Sequence, residues 1–208
     1  MEGHFLENDL KTIGSKPLGL KGLLAGKIMN IIHAGFYRNI INEIIIPYEK
    51  NLSEINILDI GCGGGTSIKS FSKHPSVKKV FGIDYSEDMV KLSYKLNQKK
   101  ISSGNVDIKL ADVSKLPFEN NSFEIITAFD TINFWPDQKM AISEILRTLK
   151  QDGCFFIINA FPKEGTKWFD FVKYKNEKEY KKFLSSNGFS DVSCVFKKNT
   201  IIVQGIKL

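Results

Sequence analysis

The residues best placed to do chemistry lie in the stretch Ile57-Leu-Asp-Ile-Gly-Cys-Gly-Gly-Gly-Thr-Ser67. Its first four residues read as a short buried strand, and the glycines that follow read as a sharp turn into a helix. Glycine tolerates positive φ, and without a Cβ it lets a ligand lie directly against the backbone. The pattern is Asp59-x-Gly61-x-Gly63-x-Gly65, an acid inside the strand followed by alternating glycines. A dinucleotide fingerprint counted from Gly61 needs glycine where Thr66 stands, and a phosphate-binding P-loop needs Gly-Lys-Ser/Thr, whereas the first lysine here is Lys69. A glycine-rich turn with no ligand is the bland alternative. Against it stands Asp59, because an acid in a buried strand is costly without a partner.

Further acids recur at the ends of the strands that follow. Val-Phe-Gly-Ile leads into Asp84-Tyr85-Ser86, the strand 106–110 leads to Asp112-Val113, and the apolar run 123–129 ends at Asp130. In an open α/β sheet, ligands bind beyond the carboxyl ends of the strands, so these acids face one crevice. Asp84 follows the glycine loop at the separation of an acid that holds ribose hydroxyls, and its two oxygens suit a vicinal diol. Tyr85 beside it suits the face of an adenine. Asp112 suits the exocyclic adenine amine, and the Val113 N–H a ring nitrogen. Each has a bland reading as a strand-end or capping acid; together they fit one nucleoside.

The elements that must position these groups alternate strand and helix, which predicts a parallel sheet covered on both faces. Strands are expected at 56–60, 79–84, 106–110, 123–129, 154–158, 191–196 and 200–206. Helices are expected at 66–72, at 87–100 with Ser86 as N-cap and Met89, Val90, Leu92 and Leu96 buried, after the cap Asp137 as far as Gly153, and at 177–186 behind the cap Asn176. The tight Lys197-Lys198-Asn199 connection predicts a final antiparallel hairpin, and 162–175 shows no clean period. Ahead of the first strand, apolar residues from Leu23 to Tyr48 recur near the helical period, with Gly35 as an interruption and Pro47 as the end. This segment is expected to be an appendage, residues 1–50, serving as a lid on a domain at 51–208. His33 and Tyr37 are its candidates for substrate contact; ordinary packing is the alternative.

Composition bounds the reading. At 208 residues with 42% hydrophobic and 25% charged, one soluble domain is expected. No apolar run reaches the roughly 20 residues that span a bilayer, and the N-terminus lacks a basic-then-apolar signal, so a cytoplasmic location is expected. Cys62, Cys154 and Cys194 have neither disulfide nor zinc spacing and read as buried thiols. The net charge of +6 admits an anionic partner, nucleic acid included. Its lysines are interleaved with acids through Lys163–Lys182, which favours a solvated surface.

Taken as a set, Ile57–Ser67, Val80–Met89, Ala111–Phe118 with Ser122–Asp130, and Leu149–Ile158 resemble the successive motifs of the class I S-adenosylmethionine-dependent methyltransferases. The pattern Ala111-Asp-Val-x-x-Leu116-Pro117-Phe118 is closest to the small-molecule, ubiquinone-biosynthesis-like branch. The resemblance implies a Rossmann-like doubly wound α/β sheet of seven strands in the order 3-2-1-4-5-7-6, the last antiparallel. It implies S-adenosyl-L-methionine as cofactor and S-adenosyl-L-homocysteine as product. The cofactor-binding positions it implies are Asp59, Gly61, Cys62, Gly63, Gly65, Thr66, Asp84, Tyr85, Met89, Asp112, Val113, Phe129 and Asp130. The acceptor is expected at the lid and at Asn133, Phe134 and Trp135. The segment after Phe129 lacks the Asn/Asp-Pro-Pro-Tyr/Phe signature of many nucleic-acid base methyltransferases, so a small-molecule acceptor is expected, with RNA or protein as the alternative. A non-catalytic cofactor-binding module is the third reading, since no residue announces itself as catalytic.

Overall fold

The computed structural model describes residues 35–49 and 54–208. Its strands are β1 (Ile55–Ile60), β2 (Val77–Asp84), β3 (Val106–Leu110), β4 (Phe123–Phe129), β5 (Leu149–Ala160), β6 (Phe189–Lys197) and β7 (Thr200–Lys207). They form one seven-stranded sheet in the order β3-β2-β1-β4-β5-β7-β6, the order expected. The helices are α1 (Thr66–Phe71), α2 (Glu87–Ser102), α3 (Gln138–Thr148), α4 (Lys167–Phe171) and α5 (Glu177–Ser185). The chain divides into two compact units, one holding Gly61–Ala111 and the other Ile55–Ile60 with Asp112–Leu208.

In the first unit β2 and β3 pair in parallel, and α2 packs on both while α1 packs on β2 and α2. The helix α2 buries Met89, Ser93 and Asn97. The apolar stripe expected of this helix is therefore corrected: Val90, Leu92 and Leu96 are only half-buried. Ser86 is also not a side-chain cap. It precedes the helix in extended conformation without a capping bond, and its N–H instead donates to Asp84 Oδ1 at 2.9 Å. Residues 35–40 are helical, so Gly35 does not interrupt the described segment. The irregularity comes later, as a π-turn at Ile41–Ile45 that buries Ile41 and Ile45. A 3₁₀ turn over Ile46–Glu49 follows and contains Pro47. The rest of the expected N-terminal helix, His33 included, lies outside the described residues.

In the second unit β1 pairs with β4 and β4 with β5, all in parallel. Their apolar runs are buried on both faces, from Ile57 and Leu58 to Ile125, Ile126, Phe155 and Phe156. Strand β7 runs antiparallel to both β5 and β6, and the expected hairpin closes at Lys197 and Thr200. Helix α3 packs on β5, and α5 on β6 and β7. The expected caps are present: Asp137 accepts from the Met140 N–H at 2.9 Å, and Asn176 from the Glu179 N–H at 3.1 Å. Gly153 does not end a helix. Helix α3 stops at Thr148 and β5 begins at Leu149, whose register with β4 then jumps from Phe123↔Leu149 to Ile125↔Cys154. Gly153 lies in the resulting bulge, where a Cβ would come within 2.8 Å of the Lys150 carbonyl oxygen. The segment read as aperiodic holds the short helix α4, capped by Thr166. Cys62 and Cys154 are buried as expected; Cys194 is half-buried, and burial pushes its thiol up to about 11.

The connection between β3 and β4 is pinned by an ion pair on α3. Arg147 meets Glu144 through Nε at 2.7 Å and Nη2 at 2.8 Å. The same guanidinium donates to the carbonyls of Phe118 and Leu116 at 2.7 and 3.0 Å, while Glu144 accepts from the Leu116 N–H. The hydrogen bond from Arg147 holds the Glu144 carboxyl below its usual value. A depressed carboxylate stabilises the fold above its unfolded pKa and loses that contribution as pH falls through the folded one. An ammonium cannot make this fork, so Arg147→Lys should cost about 2 kcal/mol at neutral pH. In urea denaturation the gap to the unsubstituted chain should narrow on acidification; a gap independent of pH would refute the role given to the pair.

Candidate active site

The glycine loop adopts the left-handed conformations its composition permits, with φ of 68° at Gly61, 51° at Gly63 and 85° at Gly65. The Gly65 N–H closes a turn onto the Cys62 carbonyl, and the Cys62 N–H donates to the carbonyl of Ile83, each at 2.9 Å. The loop is thereby tied to the last turn of β2, where Asp84 stands. One carboxylate oxygen of Asp84 accepts from the Gly63 N–H at 2.9 Å and the other from the Ser86 N–H. Asp84 is buried. Burial raises its pKa, and the N–H bonds from Ser86, Gly63 and Tyr85 oppose that rise.

Behind the loop, α2 presents polar groups instead of an apolar wall. Asn97 Nδ2 donates to the carbonyls of Gly65 at 3.1 Å and Ser93 at 2.9 Å. Cys62 Sγ lies 3.9 Å from Ser93 Oγ. The two glycines consequently face different surroundings. A Cβ on Gly65 would lie 2.2 Å from Ser93 Oγ and 2.5 Å from Asn97 Nδ2, whereas a Cβ on Gly63 meets nothing within 4 Å. Gly65 is required by packing; Gly63 borders open space. Three N–H donors leave the Asp84 carboxylate one further lone pair, which a ligand hydroxyl can use. Thr66 opens α1 and is buried, Met89 is buried on α2, and Tyr85 beside Asp84 is 40% exposed. The structure thus brings together Gly61, Cys62, Gly63, Gly65 and Asp84, with Tyr85 adjoining. Tyr37 is buried, its ring 6.0 Å from that of its neighbour Phe36.

The remaining expected residues belong to the second unit. Asp59 is fully buried and accepts from Thr127 Oγ1 at 2.6 Å across the β1–β4 pair, the kind of partner its strand position required. Asp112 Oδ1 accepts from the Ser114 N–H and hydroxyl at 2.8 and 2.6 Å, a local turn that leaves Asp112 exposed and Val113 buried. Phe129 is buried. Asp130, at φ 55°, accepts from the Ala160 N–H at 2.5 Å and so joins the ends of β4 and β5. Asn133 accepts from the Lys173 N–H at 3.0 Å, Lys173 Nζ reaches the Trp135 carbonyl at 2.8 Å, and Phe134 packs on Phe171 with centroids 5.3 Å apart. Trp135 is buried. Burial lowers the pKa of Lys173.

Residues that the sequence did not single out are Ser93 and Asn97, whose signal was the four-residue spacing from Met89, and Lys173, whose role in tying 133–135 to the segment after α4 has no local signature. Buried Asn159 donates to Tyr180 Oη at 2.9 Å, and the burial of Tyr180 pushes its phenol up to about 12. Among the described residues no group of His, Cys, Asp and Glu is placed to hold a metal ion, and no helix is long and apolar enough to cross a membrane.

Comparison with known proteins adds to this geometry. Residues 58–157 match the model of a family described as a methyltransferase domain. An uncharacterized methyltransferase of Bacillus subtilis, YcgJ, is 30% identical over 155 residues, covering 74% of this chain and 60% of that protein. A demethylmenaquinone methyltransferase of Lactococcus lactis is 35% identical over 105 residues, 50% of this chain and 41% of that protein. The chain thus spans less than two thirds of either relative. The crystal structure of a SAM-dependent methyltransferase from Aquifex aeolicus superposes with a TM-score of 0.68 at 24% identity, covering 79% of this chain and 88% of that one. This last likeness speaks for the fold alone.

The two glycines should separate in experiment. Gly65→Ala forces a Cβ into Ser93 and Asn97 and should lower the thermal midpoint clearly. Gly63→Ala meets only the strain of its positive φ, about 1 kcal/mol, and should melt close to the unsubstituted chain. Equal losses would show that Gly65 is not packed against α2.

Proposed function

We propose that this chain is a class I S-adenosylmethionine-dependent methyltransferase that transfers a methyl group from that cofactor to a small-molecule acceptor. The observation that carries the proposal is the glycine loop held open by Asp84: a buried carboxylate fixing the backbone beside a space that Gly63 leaves clear. In this reading the backbone of Gly61–Gly65 lies against the methionine end of the cofactor, with Cys62, Thr66 and Met89 around it. Asp84 accepts from the ribose hydroxyls, and Tyr85 lies on the adenine. The assignment of Asp112 and Val113 to adenine, and of Asp59, Phe129 and Asp130 to the cofactor's surroundings, rests on the motif pattern.

The cofactor supplies a methyl group already activated on a sulfonium, so transfer is an in-line displacement at carbon. The protein's part is alignment and exclusion of water. A neutral amine or a thiolate acceptor needs no base from the chain, and a hydroxyl acceptor does. The small-molecule reading draws support from the aromatic residues Phe134 and Trp135, and from the 35% identity to a relative named for demethylmenaquinone. The N-terminal segment, with His33 and Tyr37, is the proposed lid over the acceptor.

Calorimetry with S-adenosylhomocysteine tests the cofactor site. Asp84→Asn keeps one carbonyl oxygen where the loop and β2 present N–H groups to two, and should weaken binding about 10- to 100-fold, the loss of one or two charge-assisted hydrogen bonds. At saturating cofactor the turnover should largely recover, since the contact is common to ground and transition states. Because burial raises the Asp84 pKa, cofactor affinity should begin to fall at a pH above the ordinary carboxylate range, as protonation removes acceptor capacity. The native state holds that proton more tightly than the unfolded chain, so fold stability contributed by this group moves oppositely, rising as pH falls through the same window. Unchanged affinity in the variant, or tight binding of NAD with no response to S-adenosylhomocysteine, would overturn the assignment.

A further inference from the structure

A second concavity in the first unit lies away from the glycine loop. It encloses about 360 Å³ and is lined by Arg38, Asn42, Ser70, Lys73, His74 and Pro75. Arg38 and Asn42 come from the helical segment before β1, and the others from the end of α1 and the turn that leads into β2. Among the described residues the lining contains no carboxylate, and neither Arg38 nor Lys73 forms an ion pair. Lys73 and His74 alone would be explained as cations beyond the last turn of a helix, where the peptide dipoles favour them. Arg38 is not explained in this way. It belongs to a distant part of the chain and brings a further positive charge to the same hollow.

The donors in this hollow are the guanidinium of Arg38, the ammonium of Lys73, the amide of Asn42 and one imidazole nitrogen of His74. His74 Nδ1 accepts from the Ser76 N–H at 3.3 Å, which places the ring proton on Nε2. The Ser70 hydroxyl is used inside α1, donating to the Thr66 carbonyl at 3.0 Å.

We propose that this cavity binds the phosphoryl group of a small phosphate monoester. The monoester carries close to two negative charges near neutral pH, matching Arg38 and Lys73. A guanidinium offers the planar fork that meets two phosphate oxygens at once. Partial burial lowers the pKa of His74 and favours its neutral form, in which Nε2–H is free to donate to the phosphoryl group while Nδ1 keeps the Ser76 N–H. The volume accommodates a phosphoryl group and the first atoms of its ester. Among the described residues no aromatic side chain lines the cavity to stack a base, and a single hollow lacks the run of cations that tracks a nucleic-acid backbone. Its lining shares no residue with the glycine loop or with Asp84. The cavity is therefore separate from the glycine loop, and its occupancy does not depend on the methyltransferase reading.

The test is a titration of the full chain with glycerol 2-phosphate and with inorganic phosphate at constant ionic strength, followed through the His74 imidazole by nitrogen-15 NMR and assigned with His74→Gln. A saturable shift is expected above neutral pH, where both phosphates are largely dianionic. Arg38→Gln and Lys73→Gln should each weaken binding roughly tenfold, with unchanged thermal midpoints verifying that both variants fold. A shift that chloride reproduces, that never saturates, or that both variants leave intact would overturn the proposal. So would a single-stranded oligoribonucleotide without terminal phosphate that occupies the cavity more tightly than either phosphate, because it would assign the charge to nucleic acid.

Discussion

The glycine loop depends on one carboxylate. Loops of this composition have little conformational preference of their own, since glycine loses more backbone entropy on ordering than any other residue. Asp84 supplies the missing constraint by accepting from the loop at Gly63 on one oxygen and from the start of α2 at Ser86 on the other. Burial disfavours its charge, but two buried N–H groups would be left without acceptors if it were neutral and turned away. The loop, the end of β2 and the first turn of α2 therefore stand or fall together. A group placed to recognise a ligand is also the group that shapes the place where the ligand lies.

The rear of the loop is governed by a different constraint. Ser93 and Asn97 occupy positions where an amphipathic helix would ordinarily carry aliphatic side chains, and Asn97 retains a buried oxygen, Oδ1, with no hydrogen-bond partner. Such an atom costs stability. What the arrangement gains is short-range polar contact with the Gly65 carbonyl, which no aliphatic side chain can make. Close approach of α2 to the loop, and hence the identity of Gly65, follows from using small polar residues at that seam.

Much of this was legible in the sequence. Alternating elements, the covered parallel strands and the hairpin at Lys197 follow from periodicity and turn chemistry, and the strand order follows from the motif resemblance. Asp59 could be flagged as an acid in need of a partner, and Thr127 proved to be one. Three kinds of feature were not legible, for distinct physical reasons. The buried stripe of α2 was misread because hydrophobicity was taken as the guide to burial, whereas Ser93 and Asn97 are buried by hydrogen bonding. Gly153 was read as a helix stop because glycine ends helices and forms bulges alike, and only the register with β4 decides between them. The hydrogen bonds that Asp130 and Asn133 accept from Ala160 and Lys173 join partners far along the chain, which no local pattern reveals.

The place of β7 has a consequence for how the second unit is made. It follows β6 in chain order, yet it lies inside the sheet, between β5 and β6. During synthesis β5 emerges with Phe155 and Phe156 and must wait, its outer edge unpaired, while some forty further residues are added at about 5–20 residues per second. Strand β6 arrives next and still finds no neighbour, since its partner in the sheet is β7. For several seconds the nascent chain therefore displays two open strand edges, a template for pairing with another chain. Thr200–Lys207 closes both at once, so for this half of the molecule the decisive folding step is the arrival of β7, and the chance of misassociation is set by how quickly that strand follows β6.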